Sequence, residues 1–176
     1  MNNFTIRKAR PNDSNFAYSV KKAAFKEYVN KIYGWDDKEQ RKLHEQRFRT
    51  QDFRVINIDG TDIGIIAVVI EPDCMKLNQF LLLPAYQGRN IGHQCMSLIM
   101  EEAHFLSLPV RLRVMKANPR ALSFYQSLGF MRSGETETHD LMEFSAPDAR
   151  TSRQWPSCSK RLASTLANLF FFLLNC

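Results

Sequence analysis

The segment Phe80-Leu81-Leu82-Leu83-Pro84-Ala85-Tyr86-Gln87-Gly88-Arg89-Asn90-Ile91-Gly92 limits the possible folds more than any other part of the chain. An apolar run of strand type meets a proline and then a short loop that holds Gly88. The loop opens into a helix expected from about Ile91 to Leu106. A helix start offers unpaired N–H groups and the positive end of a dipole, a combination that suits phosphate. Gly88 and Gly92 allow close approach of backbone to a ligand. An ordinary strand-to-helix turn has the same outline. The segment has no Gly-Lys-Ser/Thr and no Gly-x-Gly-x-x-Gly, so it is neither a Walker A loop nor a dinucleotide fingerprint.

The surrounding pattern predicts an α/β domain. Phe4 to Ala9 alternates as a half-buried strand does. Pro11-Asn12-Asp13-Ser14 introduces a helix to about Tyr28, with Phe16, Val20, Ala23, Ala24 and Tyr28 near helical spacing. After the break at Tyr33-Gly34-Trp35, Asp36 or Asp37 caps a charged helix running to about Arg49. Strands follow at Phe53 to Ile58 and Ile63 to Ile70, with the hairpin signal Asp59-Gly60 between them. Met75 to Leu83 is a further strand, and Val110 to Met115 another. A short helix from about Pro119 to Leu128 ends at Gly129, and strands near Phe130 to Ser133 and Thr138 to Phe144 close the series. Strands and helices in this order imply a mixed sheet flanked by helices.

A second segment, Asn118-Pro119-Arg120-Ala121-Leu122-Ser123-Phe124-Tyr125-Gln126-Ser127-Leu128-Gly129-Phe130, joins the first. Together the two resemble the GNAT N-acetyltransferase family. The loop Gln87 through Gly92 is similar to its Arg/Gln-x-x-Gly-x-Gly/Ala motif, with Asn90 where the first glycine is usual. Asn tolerates the left-handed conformation better than most residues. The second segment resembles the family's Asn-x-x-Ala-x-x-x-Tyr-x-x-x-Gly-Phe and follows at the family's distance. The likeness runs from about Thr5 to Phe144.

The resemblance implies the acyl-CoA N-acyltransferase fold, an α/β architecture with a splayed central sheet, and acetyl-CoA as cosubstrate. It implies that Gln87, Gly88, Arg89, Asn90, Ile91 and Gly92 hold the pyrophosphate, and that the backbone of Leu81, Leu82 and Leu83 meets the pantetheine amides. Asn118 is expected to touch the cofactor, and it is also placed to cap the helix that Pro119 begins. Tyr125 is expected near the thioester sulfur, and the Leu82 N–H at the oxyanion. The implied reaction is direct attack by a primary amine in a ternary complex. An acyl-CoA-binding module without catalysis is the alternative.

The general base stays open among Glu71, Asp73, Glu135, Glu137 and His139, each equally readable as a solvated surface residue. Tyr33, Trp35 and His44 flank the first two helices, where the family builds its acceptor pocket. Trp35 reads equally well as an apolar plug, and His93 reads as a solvated helix residue. Acceptors from small amines to protein N-termini fit.

The formal charge is +6. Half of it lies beyond Pro147, where Arg150, Arg153, Lys160 and Arg161 face one acid, Asp148. No aromatic-interleaved basic patch marks a nucleic-acid site. Cys74, Cys95, Cys158 and Cys176 have no metal-ligand spacing, so no metal and reduced thiols are expected. The N-terminus lacks a secretory apolar stretch, and the cytoplasm is the expected compartment. Residues 1–146 are expected to form the acetyltransferase domain. Residues 147–176 form a basic linker and an apolar end outside the resemblance. That end, Leu166 to Leu174, is expected to dock on an exposed patch, on a second subunit as a homodimer, or on a membrane surface.

Overall fold

The parting of two parallel strands organises the architecture. The computed structural model describes residues 4–145. In chain order they form β1 (Phe4–Lys8), α1 (Ser14–Tyr33), α2 (Asp37–Thr50), β2 (Asp52–Ile58), β3 (Thr61–Ile70), β4 (Met75–Leu82), α3 (Ile91–Phe105), β5 (Val110–Met115), α4 (Pro119–Ser127), β6 (Met131–Glu135) and β7 (His139–Phe144). The linker, the apolar end with its expected docking, Cys158 and Cys176 lie outside the described residues.

The seven strands make one sheet in the order β1-β2-β3-β4-β5-β7-β6. Every neighbouring pair is antiparallel except β4 and β5, which are parallel and are joined through α3. The expected mixed α/β sheet is therefore present. The β4–β5 ladder is short. Met75, Lys76 and Leu77 face Val110, Arg111 and Leu112, and pairing then ends although both strands continue. On its other side β4 stays paired with β3 as far as Leu82 opposite Gly64.

Two cores flank the sheet. Ile56, Ile66, Leu77, Leu82, Leu112 and Val114 pack with α3 and with Tyr125 of α4. Phe53, Ile65 and Ala67 pack with Ala17 and Val20 of α1, joined by Leu81 and Leu83. A bulge sets which residues face which core. Val68 pairs with Leu77 but Ala67 pairs with Gln79, so Asn78 is the extra residue in β4.

Local chemistry explains the element ends. Asp59 and Gly60 both take positive φ, 50° and 83°, as the tight hairpin requires. Asp36 caps α2, its side chain accepting from the Glu39 N–H at 3.0 Å. Helix α1 continues past Tyr28 to Tyr33 and stops at Gly34, where φ is 74°. Its buried side is Ala17, Tyr18, Val20, Lys21 and Val29, whereas Ala23 is exposed. The expected stripe is rotated because Lys21 lies inward, its stem covered and its Nζ donating to Gln40 Oε1 at 2.8 Å.

Candidate active site

Leu82 stands where β4 leaves the sheet, beside the opening between β4 and β5. The Leu83 N–H donates to Ile63 O at 2.9 Å, so Leu83 turns its polar groups toward β3. Leu81 does the same: its carbonyl oxygen lies 2.6 Å from where a Cβ on Gly64 would stand. Backbone groups alternate along a strand, so the groups of Leu82 point into the opening. Of the three leucines expected to offer backbone to a ligand, only Leu82 is turned toward the opening, because the bulge at Asn78 sets the phase. The Leu82 carbonyl is already engaged, accepting from Gln87 Nε2 at 3.0 Å.

The loop after β4 takes the shape its residues favour. Gly88 and Asn90 adopt positive φ, 75° and 61°, and Asn90 sits in the left-handed helical region directly before α3. The Asn90 side chain makes no cap hydrogen bond. The first-turn N–H groups of Ile91, Gly92 and His93 therefore keep the open valence of a helix start. Arg89 stacks on the Tyr86 ring, its Cζ 5.5 Å from the ring centre. Arg120, at the start of α4, donates from Nη1 to Gln87 Oε1 at 3.2 Å. This ties α4 to the loop.

Gly92 has a packing reason that the sequence motif did not suggest. A Cβ there would stand 3.2 Å from two ring atoms of Phe124, so the glycine admits α4 against α3. His93 packs edge-on against the same ring at 5.2 Å and is exposed, as expected of a solvated helix residue. Asn118 caps α4, its side-chain oxygen accepting from the Ala121 N–H at 3.1 Å.

Tyr125 is buried between the rings of Phe124, at 5.2 Å, and Phe130, at 5.5 Å. Among the described residues its hydroxyl has no hydrogen-bond partner. Burial pushes its pKa well above the ordinary tyrosine value. Such a hydroxyl holds its proton and acts as a donor.

The opposite face of the opening, toward α1, carries different chemistry. Strand alternation puts Gln79 and Leu81 of β4, Arg113 and Met115 of β5, and Leu141 and His139 of β7 on that face. Tyr33, at the end of α1, donates its hydroxyl to Thr138 Oγ1 at 2.8 Å and joins α1 to the β6–β7 turn. His139 is half-buried, with Nδ1 2.8 Å from Thr138 Oγ1. Burial and the charge of Arg113 hold its pKa below the usual imidazole value.

The candidate bases separate on this ground. Glu71 is paired with Lys76 at 2.7 Å, Asp73 with Arg111 at 2.6 Å, and Glu135 with Lys116 at 2.6 Å. Each carboxyl is held below its ordinary pKa by a hydrogen bond from that cation. Glu71, Asp73 and Cys74 bring ligand-type atoms within 4.8 Å of one another, but Lys76 and Arg111 already occupy the carboxylates.

His44 is fully buried among Tyr18, Phe48 and Phe53, with Nε2 3.0 Å from Ser14 O. It is a core residue on the buried side of α2. Trp35 is half-buried and donates from Nε1 to Asp37 at 3.2 Å.

Three features near the opening were not singled out from sequence. Gly64 lies against Leu81 and Leu82 so tightly that a Cβ would stand 2.7 Å from the Leu82 side chain. A glycine inside a strand is a readable sign of such close approach. Gln79 and Arg113 carried no such sign.

By structure the chain is similar to the PaiA N-acetyltransferase of Thermoplasma acidophilum, solved in complex with coenzyme A. Identity is 19%, coverage is 81% of this chain and 99% of that one, and the TM-score is 0.68. It is also similar to a GNAT family acetyltransferase from Elizabethkingia anophelis with acetyl-CoA bound, at 13% identity, 82% and 99% coverage and a TM-score of 0.65. A third likeness is to the ribosomal-protein-S18-alanine N-acetyltransferase of Escherichia coli, at 17% identity, 89% and 100% coverage and a TM-score of 0.61. At these identities the likeness shows the fold. No curated protein matches by sequence. The family model described as the acetyltransferase (GNAT) family matches residues 18–130. That span is well over half of the chain and includes both motif segments, so the chain belongs to the GNAT acetyltransferase family.

Proposed function

We propose that this protein transfers an acetyl group from acetyl-CoA to a primary amine, by direct attack within a ternary complex. The observation that carries the reading is the parting of β4 from β5 beside the start of α3. The opening fits coenzyme A on two counts. The Leu82 N–H on the parted edge suits an amide or thioester oxygen, and the Gly88–Asn90 turn before the first N–H groups of α3 suits a pyrophosphate. Bound there, acetyl-CoA supplies the reactive thioester.

In this reading Gln87 holds the Leu82 carbonyl and so steadies the residue whose own N–H, one peptide earlier, meets the developing oxyanion. Arg89 adds positive charge near the phosphates. Tyr125 donates a hydrogen bond to the departing sulfur. His139, uncharged near neutral pH, takes the proton of the acceptor ammonium directly or through water. Glu71, Asp73 and Glu135 are too strongly ion-paired for that task.

No described cysteine competes as a nucleophile. Burial pushes the Cys95 thiol up to about 12 and raises Cys74 as well. Among the described residues no helix is long and apolar enough to cross a membrane, and a cytoplasmic setting goes with this reading.

Calorimetry with coenzyme A, followed by thiol release from acetyl-CoA across an amine panel, tests the proposal. The expected outcome is saturable binding that Arg89→Glu weakens, with amine-dependent release. Binding without turnover on any amine would make the domain a sensing module.

A further inference from the structure

The strand arginines of this sheet are almost all matched with acids. Arg7 meets Asp13 and Asp62, Arg54 meets Asp52 and Glu102, Arg111 meets Asp73 and Glu143, and Arg132 meets Glu135 and Asp140. Arg113 is the exception. It is exposed, and among the described residues it has no hydrogen-bond or ion-pair partner.

Its position is informative. The last β4–β5 pair is Leu77 with Leu112, so Arg113 is the first residue of β5 beyond the paired region. It faces α1, as Met115 and its own cross-strand partner Leu141 do. On the other wall of the opening, Gln79 is the first residue of β4 past the bulge that faces the same way. Gln79 is only 9% exposed, and among the described residues neither its Oε1 nor its Nε2 has a partner. A buried amide left unpaired costs about 1–3 kcal/mol, so native folds seldom keep one without use.

The opening therefore presents to the acceptor side one unmatched guanidinium and one unmatched amide. The rest of that side is largely apolar, with Leu81, Met115 and Leu141. An acceptor enters as an ammonium ion, and an unpaired Arg113 beside it repels a bare cation. An acceptor bearing its own carboxylate reverses that sign. The planar guanidinium takes a carboxylate through two parallel hydrogen bonds.

We infer that the acceptor is a small amine that also carries a carboxylate, of amino-acid type, with its carboxylate paired to Arg113 and a polar group of the same molecule met by the Gln79 amide. This rests on the acetyltransferase reading and narrows its substrate. A protein N-terminus has an amide in place of the α-carboxylate and, unless its first residue is acidic, does not satisfy Arg113.

The test compares standard amino acids and γ-aminobutyrate, each against its own carboxamide, by acetyl transfer and by calorimetry. At least one acid should exceed its amide by about tenfold or more in kcat/KM, which is about 1.4 kcal/mol. Arg113→Gln should bring that ratio close to one, and Arg113→Lys should restore part of it. Coenzyme A affinity and Tm serve as controls for folding. Equal use of acids and amides, or an acceptor without a carboxylate that is used as well by Arg113→Gln as by the parent, overturns the inference. If no amine is acetylated at all, the acetyltransferase reading fails on its own. The acid-over-amide preference is then read from binding alone, and its absence there overturns the carboxylate site as well.

Discussion

The side chain of Gln87 donates through Nε2 to the carbonyl oxygen of Leu82 at 3.0 Å, while Arg120 donates to the other end of the same amide at 3.2 Å. One carboxamide thus clamps the strand end, the loop and α4 together. Gln87→Leu should lower kcat/KM by about tenfold, because the strand end at Leu82 loses the carbonyl contact that steadies it. Arg120→Ala removes only the exposed outer bond and should cost less than about threefold. Steady-state kinetics on both variants checks the order, and a larger loss in Arg120→Ala would contradict it.

Tyr125→Phe removes a hydroxyl without a partner in the described residues and keeps the ring against Phe124 and Phe130. Turnover should fall at least about tenfold, equivalent to about 1.4 kcal/mol of barrier. Coenzyme A affinity and Tm should change little. Full turnover would make Tyr125 a packing residue. Its raised pKa gives the tyrosine a still firmer hold on its proton, so hydrogen bonding to the thiolate, and not full proton transfer, is the expected mode.

His139 must be unprotonated to accept a proton. Its pKa is held below the ordinary imidazole value, so the acid limb of the kcat/KM profile should have its midpoint below about pH 6.5. His139→Gln should remove that limb and lower kcat by about 10² or more. A limb that persists unchanged in the variant assigns the base elsewhere.

Gly92→Ala should destabilise the fold by about 1–3 kcal/mol, because the new methyl meets the Phe124 ring at 3.2 Å. Phe124→Leu in the same chain should recover part of the loss, read as urea midpoints. Absence of recovery would point to the loop, not the α3–α4 contact, as the reason for glycine.

His44 is buried, its Nδ1 unpaired among the described residues, and burial lowers its pKa in the folded protein. The unfolded chain therefore binds the proton first. Stability is full above the unfolded value of about 6.5 and falls as pH drops below it, by up to about 1.4 kcal/mol per pH unit. Unfolding curves between pH 7 and pH 5 should show this slope, and His44→Phe should flatten it.

The loop and α4 were readable because their reasons are local. Asn90 favours a left-handed turn, Asn118 followed by proline caps a helix, and Gly129 with φ 89° ends one. The site's second wall was not readable, because its reasons are distant. Tyr33 meets Thr138 across 105 positions of chain. Nothing near Arg113 in the sequence shows that Glu143 and Asp73 are spent on Arg111. Lys21 looks like a surface lysine until Gln40 covers it. The leucine triplet hides its direction, since the sense of each residue depends on the bulge upstream.

That bulge gives β4 a parity. Leu82 offers its N–H to the opening, and Gln79 faces α1, only because Asn78 is the odd residue between Leu77 and Gln79. Drawing Asn78 into the regular ladder opposite Ala67 would turn every later side chain in the strand to the opposite face and swing the Leu82 N–H back onto β3. Divergence in this stretch is therefore free in residue type but quantised in residue number. A lineage can exchange the leucines one by one and keep the chemistry, but a single-codon loss between Gln79 and Leu82 would reverse the sense of Leu82 at once.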